Sequence, residues 1–232
     1  MLLFAHRGSH DRQTSENTIA AFERAVERGC DGIEFDLRIS RDGVPVAVHD
    51  ENLHRVAGDA RRVRDLASKE LRDVVLRGHG HIPTLNEITA SIPAPTLFDI
   101  EVKDRDVLEI LIKKLQTSAG LRQRTIVSSF VLDDLVQIAK TLPEVRTLLL
   151  QRSWPLLFRK RVFSKQLSAA KVWAVGFPRN VLNARRIRWV RRKGWAVAAW
   201  DLQPLKREAR RVAKLGVDIA IVYKVETIRE KA

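Results

Sequence analysis

A chain of 232 residues, 45% of them hydrophobic and 30% charged, is long enough to bury one large core and too apolar to be disordered. The single cysteine, Cys30, excludes an internal disulfide, and no run of about 18 apolar residues is present to span a membrane. A formal net charge of +14 points either to an anionic partner (nucleic acid, an acidic membrane surface, a phosphorylated substrate) or to arginine-rich faces that are merely solvated.

No low-complexity linker divides the chain, which predicts a single domain over 1–232. Met1-Leu2-Leu3-Phe4-Ala5 is too short for the apolar core of a secretory signal and runs into His6-Arg7-Gly8, so a soluble, cytoplasmic protein is expected. Residues 2–5 read as a short buried strand. Glu16-Asn17-Thr18 then opens a helix whose apolar stripe is Ile19, Phe22, Ala25 and Val26, and Gly29 suits its end. In Asp31-Gly32-Ile33-Glu34-Phe35-Asp36-Leu37, Ile33, Phe35 and Leu37 share one face of a strand, while Glu34 and Asp36 share the other. Arg41-Asp42-Gly43 turns it into a return strand over 44–48, which leads to His49-Asp50.

Residues 50–82 are polar, glycine-bearing and basic, and read as a loop excursion with a weak helical pattern over 66–75. Pro83-Thr84-Leu85 starts a short helix that Pro93 and Pro95 end. Strands are then expected at 96–102, 124–128, 145–150, 172–176, 195–200 and 217–223. Helices fill the gaps at 104–118, 132–141, 155–169, 181–193 and 205–215, followed by a short tail. Without the return strand this makes eight strands in βα alternation, the number that closes a (βα)8 TIM barrel with its site at the C-terminal strand ends. The runner-up, an open doubly wound sheet, needs a glycine-rich phosphate turn that Gly8 alone does not supply.

Two carboxylates side by side on a buried strand are unfavourable unless a cation lies between them. On the strand over 96–102, Asp99, Glu101 and Lys103 share a face opposite Phe98, Ile100 and Val102. Polar residues thus converge at the exits of three successive strands, the first of which ends in His6 and Arg7. Glu34, Asp36 and Glu101 form an all-oxygen set suited to a hard divalent cation, Mg2+ or Ca2+. Zinc could instead recruit His6 and His49, but would leave three carboxylates without a role. We read the two histidines as an acid/base pair, and Arg7 and Lys103 as contacts for nonbridging phosphate oxygens. That combination meets the demands of phosphodiester cleavage. Asp99 reads as an inward structural carboxylate or a partner of Lys103, and His10, His54, His79 and His81 have no comparable neighbours.

Taken in order, His6-Arg7-Gly8, Glu16-Asn17-Thr18, Glu34-x-Asp36, Arg41-Asp42-Gly43, Pro45-Val46-x-Val48-His49-Asp50, Ile82-Pro83-Thr84-Leu85-x-Glu87 and Glu101-x-Lys103 resemble the motif set of the glycerophosphodiester phosphodiesterases. Ser128-Ser129-Phe130 and Trp200 fit the same pattern, so the resemblance spans nearly the whole chain. It implies a (βα)8 barrel that hydrolyses glycerophosphodiesters to an alcohol and glycerol 3-phosphate. Carried onto this sequence, it implies acid/base roles for His6 and His49 and metal ligation by Glu34, Asp36 and Glu101. Arg7 and Lys103 would contact phosphate, with Trp200 on the substrate side. Residues 50–82 fall where the family carries its insertion, here a short one. In the family the substrate's own glycerol hydroxyl is thought to attack phosphorus; direct attack by water is the other route.

Two departures bear on substrate choice. Family members usually follow the late tryptophan with Thr-Val-Asn, whereas Trp200 precedes Asp201-Leu202-Gln203. Their last strand usually ends in an aspartate-containing turn, whereas this one runs Ile221-Val222-Tyr223-Lys224. Asp201 reads as a contact for a cationic head group or as loop variation. The stretch 154–163, preceded by Arg152, interleaves apolar and basic residues. It reads as a helix packed on the barrel or as a peripheral contact with an anionic inner-membrane surface. The alternative function is therefore a lysophospholipase D or sphingomyelinase D-like enzyme acting on lysophospholipids or other membrane lipids. A non-catalytic anion-binding module follows from charge alone, but 6% aromatic content offers no stacking platform for specific nucleic-acid binding.

Overall fold

The computed structural model describes residues 1–155, 160–202 and 206–223. Its first half contains β1 (Leu2–His6), α1 (Ile19–Glu27), β2 (Gly32–Ile39), β3 (Pro45–Ala47), α2 (His54–Ala57), α3 (Ser68–Arg72), α4 (Leu85–Ser91), β4 (Leu97–Val102) and α5 (Arg105–Thr117). Its second contains α6 (Ala119–Gln123), β5 (Thr125–Ser129), α7 (Leu132–Thr141), β6 (Arg146–Leu150), α8 (Lys160–Ala169), β7 (Ala174–Pro178), α9 (Ala184–Arg191), β8 (Ala196–Leu202), α10 (Lys206–Lys214) and β9 (Ile219–Val222). The strand order β1-β9-β8-β7-β6-β5-β4-β2 is parallel throughout and closes through a β1–β2 pairing. The fold is the expected (βα)8 barrel, with β3 added antiparallel to β2 outside the ring.

Alternation along the strands builds two apolar layers. Ile33, Phe35 and Leu37 of β2 pack outward with Phe22 of α1 and Phe98 of β4. The opposite strand faces fill the barrel with Phe4, Ile126, Leu148, Ala174, Ala198 and Ile219. Phe4 pairs in register with Gly32, where an added Cβ would lie 2.4 Å from the Phe4 ring. The phenylalanine can plug the barrel only because its neighbour lacks a side chain.

Side-chain caps set several helix limits. Thr18 accepts from the Ala21 amide at 3.3 Å and starts α1; Thr84 and Glu87 form a reciprocal capping box on α4. Asn183 accepts from the Arg186 amide at 3.0 Å, so α9 begins later than the apolar pattern over 181–193 suggests. Ser118 caps the unforeseen helix α6. Of the helix expected over 155–169, the described part is α8; residues 156–159 lie outside the described residues, as do Gln203, Lys224 and the tail.

Residues 50–82 are more than a loop. They contain α2, a 3-10 turn at Val63–Asp65 and α3, and they close over a core of their own: Val46, Val48, Leu53, Val63, Leu66, Leu71, Val74, Leu76 and Ile82. Burying each such side chain contributes about 1.5–3 kcal/mol. The weak helical pattern over 66–75 corresponds to α3, whereas α2 and the 3-10 turn, at four and three residues, are too short to display a helical period.

Candidate active site

The turn after β1 organises the site. Arg7 and Gly8 both have left-handed backbones, φ 55 and 78, and a Cβ on Gly8 would fall 2.7 Å from the Ala21 carbonyl carbon. The turn aims the Arg7 amide at Glu34, donating to Oε2 at 2.9 Å. The next motif secures it. Glu16 accepts from Arg7 Nη1 at 2.9 Å, and the Asn17 amide donates to the Arg7 carbonyl at 2.9 Å. Asn17 Nδ2 donates to Asp36 at 2.9 Å, and Thr18 caps α1. Motif membership flagged Glu16 and Asn17, but their roles as supports of Arg7 and Asp36 emerge only in three dimensions.

His6, Arg7, Glu34, His49, Glu101, Lys103 and Trp200 all line one cavity of ≈ 170 Å³ at the C-terminal ends of the strands. Asp36, fully buried, lies at its wall, with one oxygen each from Glu34, Asp36 and Glu101 within 4.8 Å of one another. Every sequence-derived candidate is thus brought together. Lys103 Nζ pairs with Glu101 and lies 3.1 Å from Asp36, and Arg7 Nε lies 3.2 Å from the other Asp36 oxygen. Asp99 is not the Lys103 partner that a shared strand face allowed: Lys103 turns to Asp36 and Glu101, and both Asp99 oxygens are buried without a hydrogen bond.

Electrostatics test whether a cation fits. Burial would raise the Asp36 carboxyl, yet Lys103, Arg7 and the two histidines outweigh it and hold it well below the usual range. Burial, reinforced by Asp36 and Glu101, drives Glu34 well above its ordinary value. Glu101 is pushed up to about 7 by burial and by Asp36, against Lys103. Asp99 is also pushed up to about 7, by burial first, although the Ser128 hydroxyl lies near enough to oppose it. Among the described residues, the cluster of four buried carboxylates is met by two permanent cations, Arg7 and Lys103. A divalent cation would offset the excess, and the oxygen-only donors of Glu34, Asp36 and Glu101 fit a hard one.

The two histidines differ. Burial, then Arg7, lowers His6 to about 3; its ring meets Tyr223 edge-on, with centroids 4.4 Å apart. Burial also lowers His49, but Asp36 and Asp50 oppose it. His49 Nδ1 lies 2.7 Å from Asp50 Oδ1, which fixes the Nδ1–H tautomer and turns Nε2 to the cavity. Half-buried His10 has an unpartnered Nε2 but does not reach the cavity lining.

The opposite wall was the part least visible in sequence. Phe130, Leu150, Arg152, Ile221 and Tyr223 complete it, with Ser128 and Asp99 below. Phe130 meets Trp200 edge-on at 6.0 Å, and the Arg152 guanidinium covers the Phe130 ring at 4.8 Å. The β8–β9 register shifts between Ala199 and Leu202, where Asp201 takes φ 58; Trp200 lines the cavity with its buried Nε1 unpaired.

Comparison with known proteins agrees with this geometry. The glycerophosphoryl diester phosphodiesterase family model matches residues 6–227. A glycerophosphodiester phosphodiesterase from Caldanaerobacter subterraneus subsp. tengcongensis is 30% identical, over 98% of this chain and 96% of that protein. Human glycerophosphodiester phosphodiesterase 1 is 31% identical over 66% of this chain and 49% of its own length. The crystal structure of glycerophosphodiester phosphodiesterase from Thermotoga maritima superposes with a TM-score of 0.79 at 25% identity, covering 97% of this chain and 96% of that one. An Oleispira antarctica phosphodiesterase solved with sn-glycerol-3-phosphate shares the fold, with a TM-score of 0.80 at 21% identity over 98% and 95% of the two chains. This chain belongs to the glycerophosphoryl diester phosphodiesterase family, a family of phosphoric diester hydrolases.

Proposed function

We propose that the protein hydrolyses glycerophosphodiesters to an alcohol and glycerol 3-phosphate, using a divalent cation, Mg2+ or Ca2+, and histidine acid/base catalysis. The observation that carries this reading is the convergence of Glu34, Asp36 and Glu101 with His6, His49, Arg7 and Lys103 in and around one cavity. The Oleispira antarctica relative was solved with the product sn-glycerol-3-phosphate, which supports the same substrate class here.

Glu34, Asp36 and Glu101 would hold the cation, which supplies charge stabilisation at the phosphoryl oxygens. Arg7 and Lys103 bind the nonbridging oxygens and orient phosphorus. His6, neutral because it is buried beside Arg7, accepts the proton of the attacking hydroxyl. His49, which burial lowers against the pull of Asp36 and of Asp50 at Nδ1, delivers a proton to the departing alcohol through Nε2. Direct attack by water gives glycerol 3-phosphate in one step; attack by the substrate's own glycerol hydroxyl expels the alcohol and leaves a cyclic phosphate, which water then opens to glycerol 3-phosphate with the same pair in exchanged roles. Trp200 and its neighbours hold whatever the phosphate carries. The test is a panel of glycerophosphodiesters with wild type and His6→Ala. Turnover should fall by about 100-fold or more in the variant; an equally active variant would remove His6 from the mechanism.

A second reading, action on lysophospholipids at an anionic membrane surface, has one observation in its favour. Val131, beside the Phe130 wall, and Val162 in α8 are large apolar residues left exposed, at 54% and 57%. The segment first considered for this contact, 154–163, lies partly outside the described residues. No helix among the described residues is long and apolar enough to cross a membrane. Co-sedimentation with anionic vesicles at low salt tests the contact, and its absence removes the second reading.

A further inference from the structure

We propose that Arg55, in the insertion, is a positioning residue for the reaction: its guanidinium ties together the two carboxylates that orient His49 and Arg7. Nothing in the sequence distinguished it from the other arginines of the basic stretch over 50–82. In three dimensions it sits in α2, outside the cavity lining, and uses each of its nitrogens. Nε donates to Asp50 Oδ2 at 2.5 Å, while Nη1 and Nη2 donate to the two oxygens of Glu16 at 2.8 and 2.7 Å. The other Asp50 oxygen contacts His49 Nδ1 at 2.7 Å, and Glu16 Oε1 also accepts from Arg7 Nη1 at 2.9 Å. The chain His49–Asp50–Arg55–Glu16–Arg7–Asp36 is therefore continuous.

Its parts have distinct physical consequences. A carboxylate gripped on one oxygen by a fixed guanidinium can present only its other oxygen to the imidazole, which holds the ring in one rotation. Glu16, with both oxygens engaged by Arg55, can take one nitrogen of Arg7 but cannot draw the whole guanidinium to itself. Remove Arg55 and Glu16 becomes free to form a fork-to-fork pair with Arg7, away from phosphate. Asp50 meanwhile gains a free oxygen and a second rotamer. The insertion core, which includes Leu53 two residues before Arg55, fixes where the guanidinium stands. The insertion thus belongs to the machinery of the site without touching substrate.

The inference rests on the roles proposed above for His49 and Arg7. It is tested by steady-state kinetics of wild type, Arg55→Ala, Arg55→Lys, Asp50→Asn, the Arg55→Ala/Asp50→Asn double variant and Arg61→Ala, with a melting curve for each. Arg61 is an exposed insertion arginine whose side chain, among the described residues, pairs with Asp59 alone and reaches no residue of the site, so Arg61→Ala should leave activity unchanged. Arg55→Ala should lose about 10–100-fold in kcat/KM, with kcat reduced as well as KM raised. Millimolar guanidinium should restore part of the loss, and the double variant should lose at least about fivefold less than the product of the single losses. Arg55→Lys keeps the charge without the fork and should fall between wild type and alanine; it carries the test if the alanine variant does not fold. Losses that simply multiply, no response to guanidinium, or an equal loss in Arg61→Ala would overturn the proposal by reducing Arg55 to a support for the insertion. An inactive wild type would instead overturn the functional reading beneath it, and a fully active His49→Ala would overturn the role of His49.

Discussion

At the mouth of the barrel, the ends of β1, β2 and β4 carry His6, Glu34, Asp36, Glu101 and Lys103, whereas the ends of β5, β6, β8 and β9 carry Phe130, Leu150, Arg152, Trp200 and Ile221. The first half is a closed net of charge in which nearly every group is held by another. The second is an apolar and aromatic wall whose cation, Arg152, rests on a ring and pairs with no carboxylate among the described residues. Under the proposed function, the phosphoryl group and its proton transfers require fixed charges at fixed distances, which the charged half would supply. The alcohol requires shape and a suitable surface, which the wall would supply. Chemistry and choice of substrate would then be separable by position around the ring.

The division can be broken by experiment. Glu101→Gln keeps shape but removes charge, and should lower kcat/KM about 1,000-fold, by the same factor whatever the alcohol. A loss that varies with the alcohol would mean the charged half also selects. Trp200→Ala or Arg152→Gln should shift the ratio of kcat/KM between glycerophosphocholine and glycerophosphoglycerol by about tenfold. A uniform loss on both substrates would place these residues with the chemistry. Tyr223 is where the halves meet, through its edge-on contact with His6. Tyr223→Phe preserves that contact and should keep kcat within about threefold, whereas Tyr223→Ala loosens the ring and should lower kcat about tenfold.

The smallest effect concerns stability. Burial would raise Glu16, but Arg55 and Arg7 bring it down to about 2, below its ordinary 4.5. A depressed carboxyl stabilises the fold above its unfolded value and loses that contribution as pH falls through the folded one. The melting-temperature advantage of wild type over Glu16→Gln should therefore shrink as pH is lowered from 4.5 to about 2. A difference that is constant over this range would mean that the net of charge is not anchored by an ionised Glu16.

The same division explains what could be read from the sequence. Glu34 and Asp36 stood out because alternation placed them together opposite Ile33, Phe35 and Leu37, and Glu101 and Lys103 repeated the pattern on β4. Charge on a buried strand is conspicuous. Leu150 and Ile221 are ordinary barrel residues, and nothing in their spacing distinguishes a cavity wall from a core. Tyr223 meets His6 only because the barrel closes, setting β9 beside β1. Asp99 could be read as an inward structural carboxylate or as a partner for Lys103, because sequence gives the face of a strand but not the rotamer of a long side chain; it is buried and Lys103 turns elsewhere. The insertion hid its core in elements too short to be periodic, and with it the three-way grip of Arg55.

In the proposed mechanism Glu34, Asp36 and Glu101 bind a divalent cation on which turnover depends. The most direct measurement is glycerophosphodiester hydrolysis by chelator-treated protein on return of Mg2+ or Ca2+, run beside Glu34→Ala. Chelation should abolish wild-type turnover, one or both ions should restore it, and neither should restore the variant. Undiminished turnover in chelator, or full recovery of Glu34→Ala, would contradict the mechanism.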